Sequence, residues 1–285
     1  MIKIIKYFFE SLIIYLFFLI IKLLGLLTSR VLFSFIFKKI GPTIRSRDTL
    51  KKNFSIFSNK ISEQKKKEIE LNMWSNYGKT FVEYMFLKKF RKENLHIKIE
   101  GKKILDEIYH NNNPVIFVSG HFANFELMSM EITKNKINLA TIYRPLNNFF
   151  LNPLMEYLRK KYVCNKQIKK GRSGIKECIG YIEKGYSIAL MIDQRLGEGD
   201  RVKFFNKEAH TTSLPAQLSL KYNLNIVPIF IEREQKDYFK MKIYEPISTS
   251  NFKNKFEITL KLNQILEDMI LKNPNQWIWT HDRWK

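Results

Sequence analysis

Apolar and polar positions divide the chain into three textures. The first is an almost uncharged start: "SLIIYLFFLII" runs from Ser11 to Ile21, resumes after Lys22 as "LLGLL", and returns as "VLFSFIF" before Lys38 and Lys39. Leu12 to Leu27 spans 16 residues, roughly 24 Å of helix at about 1.5 Å per residue and slightly short of a ~30 Å hydrocarbon core. A segment apolar nearly all round needs lipid or a partner layer, and Lys22 is able to snorkel at an interface. The expectation is an N-terminal hydrophobic membrane-anchor helix within residues 1–39, either a single span or a helix lying in the interface. No small-residue cleavage site follows it, which argues against a removed signal peptide.

The second texture, residues 41–87, reads as helical. Ser62 ahead of Gln64 and a Lys-rich run marks a helix start, and Ile69, Met73, Tyr77, Phe81 and Met85 recur at i+4 spacing on one face. From Pro114 the texture changes again. The short apolar runs "VIFVS", "INLATIY", "SIALMI" and "NIVPIFI" are separated by helix-like or polar segments, and "DYFKMKIY" alternates as a half-buried strand does. This interleaving predicts an α/β fold with a mostly parallel central sheet flanked by helices and an antiparallel element at one edge. With no internal repeat and no low-complexity linker, residues 40–285 are expected to form one domain.

Composition changes this picture in two ways. The chain carries 49 Lys+Arg against 27 Asp+Glu, a formal charge of +22, in short clusters such as Lys65-Lys66-Lys67 and Lys169-Lys170 rather than one tail. Such a surface seeks a polyanion: nucleic acid, an anionic bilayer or a phosphorylated substrate; a base-composition bias of the genome is the bland account of the same excess. Two cysteines, Cys164 and Cys178, and five scattered histidines show no metal-ligand spacing. Two thiols without a framework fit a reducing compartment.

Candidate chemistry concentrates at "PVIFVSGHFANFELMSM", Pro114 to Met130. If "PVIFVS" is a buried strand, Gly120 and His121 fall where the chain leaves it for a helix, the place where α/β proteins put their sites. Residues five apart in one regular helix lie about 140° apart in projection. His121 and Glu126 therefore meet only if His121 sits in the turn and Glu126 in the first helical turns. Gly120 is expected to supply an unusual backbone angle and Asn124 a cap. An imidazole so placed lies near the positive end of a helix dipole with a ring nitrogen free as a base, and Glu126 on the other nitrogen would fix its tautomer. No GxSxG elbow surrounds Ser119, so the simplest scheme is attack by a substrate hydroxyl on a bound acyl donor. Spacing alone does not separate this from an ordinary hydrogen-bonded pair.

"GHFANFE", Gly120 to Glu126, resembles the motif of the glycerolipid acyltransferase superfamily in which four residues separate a histidine from an acidic residue. More narrowly it resembles the form found in bacterial lipid A biosynthesis (lauroyl and myristoyl) acyltransferases, with Ala123 where glycine is usual and Phe125 where tryptophan is usual. "YRPLNN" with "NPLMEYLR" is similar to that family's second block, "IDQR" to its Pro-Asp-Gln block, and "VKFFNKEAHTT" to the loop after it. "LKKNF" and "YGKTFVEY" fit its N-terminal helical region, and "NQWIWTHDRWK" looks like its C-terminal ending.

The resemblance implies transfer of an acyl chain from an acyl carrier protein or CoA thioester to a hydroxyl of a lipid A precursor. The setting it implies is the cytoplasmic face of the bacterial inner membrane, with no metal and no cofactor beyond the thioester co-substrate. It makes His121 the general base and Glu126 its partner, and it assigns Asn124, Arg144, Arg159, Asp193 and Arg195 to substrate binding, with Arg144 and Arg159 suited to a lipid phosphate. It leaves Asp193 the further role of ordering Arg195 or a loop, and gives His281, Arg283, Trp277 and Trp279 structural roles. The implied partners are the lipid precursor, the acyl carrier protein and an anionic membrane, and no nucleic acid. The alternatives are an acyltransferase for a lysophospholipid or another glycolipid, a noncatalytic basic membrane or nucleic-acid binder, and a thioesterase or lipase using water.

Overall fold

A computed structural model describes residues 2–44, 47–58 and 61–285. Met1 of the expected anchor, and Arg45, Ser46, Asn59 and Lys60 of the expected helical stretch, lie outside the described residues.

The apolar start forms helix α1 (Ile2–Leu24), 23 residues long, and its 18-residue window of mean hydropathy 2.2 is only 17% buried. It is longer than the run counted from Leu12 because the helix already begins at Ile2. The break before α2 (Leu26–Ile44) falls at Gly25, whose φ of +77° suits glycine. Helix α1 rests on the body along its length. Tyr7 O accepts from Asn148 Nδ2 at 2.9 Å, Tyr15 donates to Phe150 O at 2.9 Å, Phe18 stacks on Phe81, and Lys22 Nζ donates to Met85 O. Its other side, with Phe9, Leu12, Leu16 and Leu19, is exposed. Helix α2 buries Arg30, Phe33 and Ser34. The described part of the segment expected as an anchor, 2–39, thus holds α1 and most of α2, the second of them built into the body.

Helix α3 (Arg47–Phe57) holds the chain's end, with Asn53 Nδ2 donating to the carbonyls of Trp279 and His281 at 2.8 Å each. Helix α4 (Glu63–Glu83) starts where Ser62 accepts from Lys65 N at 3.2 Å, as the sequence signal predicts. It buries Ile69 and Met73. After α5 (Leu87–Lys92) the α/β core follows in the order β1 (Ile97–Glu100), α6 (Lys102–Asn111), β2 (Ile116–Ser119), α7 (Glu126–Lys134), β3 (Leu139–Tyr143), α8 (Asn152–Leu158), β4 (Lys166–Lys169), α9 (Arg172–Ile182) and β5 (Ser187–Met191). The chain then forms β6 (Asp200–Phe204), β7 (Lys207–Thr211), α10 (Leu214–Tyr222), β8 (Ile226–Arg233), β9 (Phe239–Ile243) and α11 (Lys255–Lys272).

Seven strands form one sheet in the order β1-β9-β8-β2-β5-β3-β4. All neighbours pair parallel except β8 and β9. The four apolar runs became β2, β3, β5 and β8, and "DYFKMKIY" became β9, alternating buried and half-buried residues. Because β9 carries β1 with it, the antiparallel step lies one strand in from the edge. Alternate side chains of the central strands enter opposite layers, as the two-residue period requires: Ile116, Val118, Ile188 and Leu190 face one core, Phe117 and Ala189 the other. Strands β6 and β7 form a separate hairpin whose turn residues, Phe205 and Asn206, both have positive φ (50° and 58°), the geometry that two-residue hairpins favour.

Candidate active site

Strands β2 and β5 are adjacent, and Ser119 faces Met191 in their register. Two residues further along each parallel chain stand His121 and Asp193, and the pairing brings them together. His121 Nδ1 lies 2.7 Å from Asp193 Oδ1, and His121 N donates to Asp193 Oδ2 at 2.8 Å. Trp277 Nε1 donates to the same Oδ2 at 3.0 Å. Asp193 is fully buried, while the His121 side chain remains 20% exposed. Burial alone would raise the Asp193 carboxyl; the facing His121 charge and the hydrogen bonds from His121 and Trp277 outweigh it and hold the pKa below the ordinary aspartate value. With Asp193 ionised, Nδ1 carries the ring proton and Nε2 is left as the basic nitrogen.

His121 lies, as expected, in the turn between β2 and α7, but Glu126 is not its partner. The Glu126 carboxylate accepts from Tyr84 OH at 2.8 Å and from Arg159 Nε at 2.7 Å. Glu126 opens α7 and faces α8 and the end of α4, whereas the imidazole turns toward the neighbouring strand. The nearer carboxylate comes from 72 residues away, through parallel strand pairing. Tyr84 ionisation is pushed up, first by burial and then by the Glu126 charge. Arg159 stays firmly protonated because the Glu126 and Tyr84 contacts outweigh its burial.

The turn itself departs from expectation in a telling way. Gly120 has no positive φ; a Cβ there would stand 2.7 Å from the Phe122 ring, 2.9 Å from Leu266 and 3.3 Å from Asp193. Glycine is required for close approach, not for backbone angle. The left-handed residue is Ala123, at φ +43°. Its N–H donates to Gln276 O at 3.2 Å, and its carbonyl accepts from Asn76 Nδ2 at 3.3 Å and Thr80 Oγ1 at 3.1 Å. A polar cavity of about 470 Å³, lined in part by Asn76, Lys79, Arg233, Asp237 and Gln276, backs this turn.

The residues expected to bind substrate are distributed unevenly. Asn124 is 1% exposed; its Oδ1 receives Glu126 N at 3.3 Å from one residue ahead of the helix cap, which is Phe125, so it closes the turn rather than capping α7 as expected, and its Nδ2 donates to Glu83 at 2.9 Å. It is spent on the turn rather than open to a ligand. Arg159 is committed to Glu126 through Nε and Nη2. Arg144, exposed just past β3, lies near Lys170, whose ammonium is lowered by burial and then by the Arg144 charge. Asp193 serves the imidazole. Arg195 donates from its backbone N to His281 Nε2 at 2.8 Å and from Nε to Lys285 O at 2.9 Å. Near the C-terminus Arg283 is fully buried, donating to His210 O and Thr211 Oγ1. Trp277 does more than pack, since it fixes Asp193. Glu83 and Tyr84 were not among the expected site residues; both lie inside "YGKTFVEY", which the sequence marks only as part of a helical region. Among the described residues, no group of three or more His, Cys, Asp or Glu is placed to hold a metal ion.

A histidine seated on a buried carboxylate at the C-terminal edge of a mostly parallel sheet is an arrangement suited to activating a hydroxyl. The sequence profile of the bacterial lipid A biosynthesis acyltransferases matches residues 2–285, and the chain belongs to that family. Curated relatives include lipid A biosynthesis acyltransferase 2 of Shigella flexneri, 24% identical over 185 residues, which are 63% of this chain and 58% of that protein. Another is the lipid A biosynthesis palmitoleoyltransferase of Escherichia coli K12, 26% identical over 193 residues, 66% of this chain and 61% of that protein. The matched stretch therefore spans about three fifths of these relatives. Among solved structures, the 1-acyl-sn-glycerophosphate (LPA) acyltransferase PlsC of Thermotoga maritima aligns over 95% of this chain and 99% of that one at 13% identity, with a TM-score of 0.42.

Proposed function

We propose that the protein transfers a fatty acyl chain from an acyl carrier protein thioester to a hydroxyl of a lipid A precursor, with His121 as general base and Asp193 as the residue that orients it. The observation carrying this is the 2.7 Å contact between His121 Nδ1 and Asp193 in a member of the lipid A acyltransferase family. In the reaction, His121 Nε2 takes the proton of the lipid hydroxyl as its oxygen attacks the thioester carbonyl. Asp193 stabilises the resulting imidazolium, the tetrahedral adduct expels the thiolate, and the imidazolium returns the proton to sulfur. The products are the acylated lipid and the free thiol of the carrier.

In the same proposal the acceptor is taken from the cytoplasmic face of the inner membrane. What supports this is α1, which rests on the body from Tyr7 to Lys22 and leaves an apolar outer face; such a helix suits one leaflet better than a crossing. The +22 charge suits anionic lipid and an acidic carrier protein. Arg144, beside Lys170, is the cation open to a lipid phosphate, whereas Arg159 holds Glu126 in place.

The test offers membrane-bound protein a tetra-acylated lipid A precursor with several acyl-carrier thioesters and reads the lipid by mass spectrometry. One added acyl ester is expected, with a loss of about 10²-fold or more in His121→Ala. Release of free fatty acid without acylated lipid, or unchanged turnover in His121→Ala, would overturn the proposal.

A further inference from the structure

Glu83, the last residue of α4, is fully buried and sits where four elements meet behind the catalytic turn. Its Oε1 accepts from Arg30 Nε of α2 at 2.8 Å and from Arg233 Nη1 at the end of β8. Its Oε2 accepts from Arg233 Nη2 at 3.1 Å and from Asn124 Nδ2 at 2.9 Å. Asn124 in turn receives the first backbone N–H of α7. Arg233 extends the web on the other side: its Nε donates to Asn76 Oδ1 at 3.2 Å, its N–H to Gln276 Oε1 at 2.7 Å, and its carbonyl accepts from Gln276 Nε2 at 2.8 Å. Asn76 and Gln276 are two of the groups that hold Ala123 at its positive φ.

This web is poorly built for stability. It sets two guanidinium groups around one fully buried carboxylate, each less than 10% exposed; a second carboxylate, Asp237 Oδ1, stands 3.9 Å from Arg233 Nη1, and Arg30 Nη2 is buried without a partner. Taking these charges out of water costs stability, and even a matched buried pair adds little over apolar packing. What the arrangement does secure is geometry. A carboxylate is an acceptor-only group able to take four hydrogen bonds at once, and here it fixes the amide of Asn124 so that its oxygen faces α7. Backbone strain at a turn persists only where the surroundings over-determine it, and this web holds Ala123 on one side and Asn124 on the next.

We infer that Glu83 is a positioning residue for His121, acting through Asn124, and that Arg30 ties this function to the seating of α2 on the body. The inference rests on His121 being the base. Glu83 touches neither substrate nor imidazole; it keeps the turn in register with Asp193. Displacing a reacting group by about 1 Å costs on the order of 10²-fold in rate, so a loosened turn lowers kcat and leaves donor binding alone.

The experiment exchanges the two partners in the full-length, membrane-extracted protein. Glu83→Gln, Asn124→Asp and the double swap are compared with Arg30→Met, which leaves Glu83 and Arg233 paired one to one and so keeps the fold. Three readouts are taken: kcat and KM for an acyl-carrier thioester, thermal midpoint, and the rate at which diethyl pyrocarbonate modifies His121, followed by mass spectrometry of its peptide. The expected result for each single change at Glu83 or Asn124 is a kcat lower by about tenfold or more, KM within about twofold, and an altered His121 modification rate. The swap restores about half of the loss on a logarithmic scale. Arg30→Met lowers kcat about threefold or more without lowering the thermal midpoint. Wild-type kcat and His121 modification in folded Glu83→Gln or Arg30→Met would overturn the inference, as would a swap no better than the product of its singles. Should one single variant fail to fold, the swap and Arg30→Met decide. Should the wild type transfer no acyl group, the proposed function fails, while the modification rates still report whether Glu83 governs His121.

Discussion

Replacing Asp193 by asparagine distinguishes an imidazole oriented by the neighbouring strand from one oriented by its own helix. The change is nearly isosteric, so the turn keeps its shape, but the carboxylate that accepts from His121 Nδ1, His121 N and Trp277 Nε1 becomes an amide with one accepting and one donating end. If the amide oxygen keeps the two donors now on Oδ2, its NH₂ faces Nδ1 and forces the proton onto Nε2, the nitrogen that must act as base. In a Ser-His-Asp triad the same change with intact geometry costs about 10⁴-fold in kcat, about 5.4 kcal/mol at 1.36 kcal/mol per decade. A loss of 10³- to 10⁴-fold is therefore expected here. Glu126→Gln keeps the imidazole's own partner, and its loss is expected to be at least about tenfold smaller than that of Asp193→Asn. The assay is single-turnover transfer from an acyl-carrier thioester to lipid A precursor, with folding checked by circular dichroism. Turnover of folded Asp193→Asn within about tenfold of wild type, or a larger loss in Glu126→Gln, would refute the assignment.

Ala123→Gly is expected to leave stability within about 1 kcal/mol of wild type, because relief of a left-handed alanine is offset by the extra chain entropy of glycine and the lost burial of its methyl; a loss of more than about 2 kcal/mol in urea titration would contradict it. Trp277→Phe keeps most of the buried ring but removes a donor to a carboxylate, so a loss of about 2 kcal/mol and a several-fold drop in kcat are expected, read by denaturant titration and turnover. Asp193 has its folded pKa below the unfolded value of 3.8, so its contribution is fully present above pH 3.8 and lost as pH falls through the folded pKa. Urea midpoints measured from pH 6 downward should fall more steeply below about pH 4 in wild type than in Asp193→Asn, and parallel curves would argue against a paired carboxylate.

Periodicity alone determined a good deal of this protein. Four apolar runs and one alternating run became strands, Ser62 capped α4, and His121 came to rest in the turn between a buried strand and a helix. Those features depend on residues within a few positions of one another, where pattern and local hydrogen bonding decide the outcome. The short strands β1 and β4 were not legible. Ile97–Glu100 and Lys166–Lys169 carry charge and form strands only because the sheet offers them an edge. The partner of His121 was also beyond local reading. Asp193 was visible as a residue of "IDQR", but its place beside the imidazole depends on β2 and β5 being neighbours in matching register. Strand order is set by the packing of helices on both faces of the sheet, and no spacing along the chain encodes it directly. The same holds for Glu83, which reads as one more position of a helix until α2, β8 and the His121 turn converge on it and exclude water. Sequence determined which groups the chain carries and which stretches are regular; tertiary structure decided which carboxylate faces the imidazole, because only packing brings distant residues within hydrogen-bonding distance.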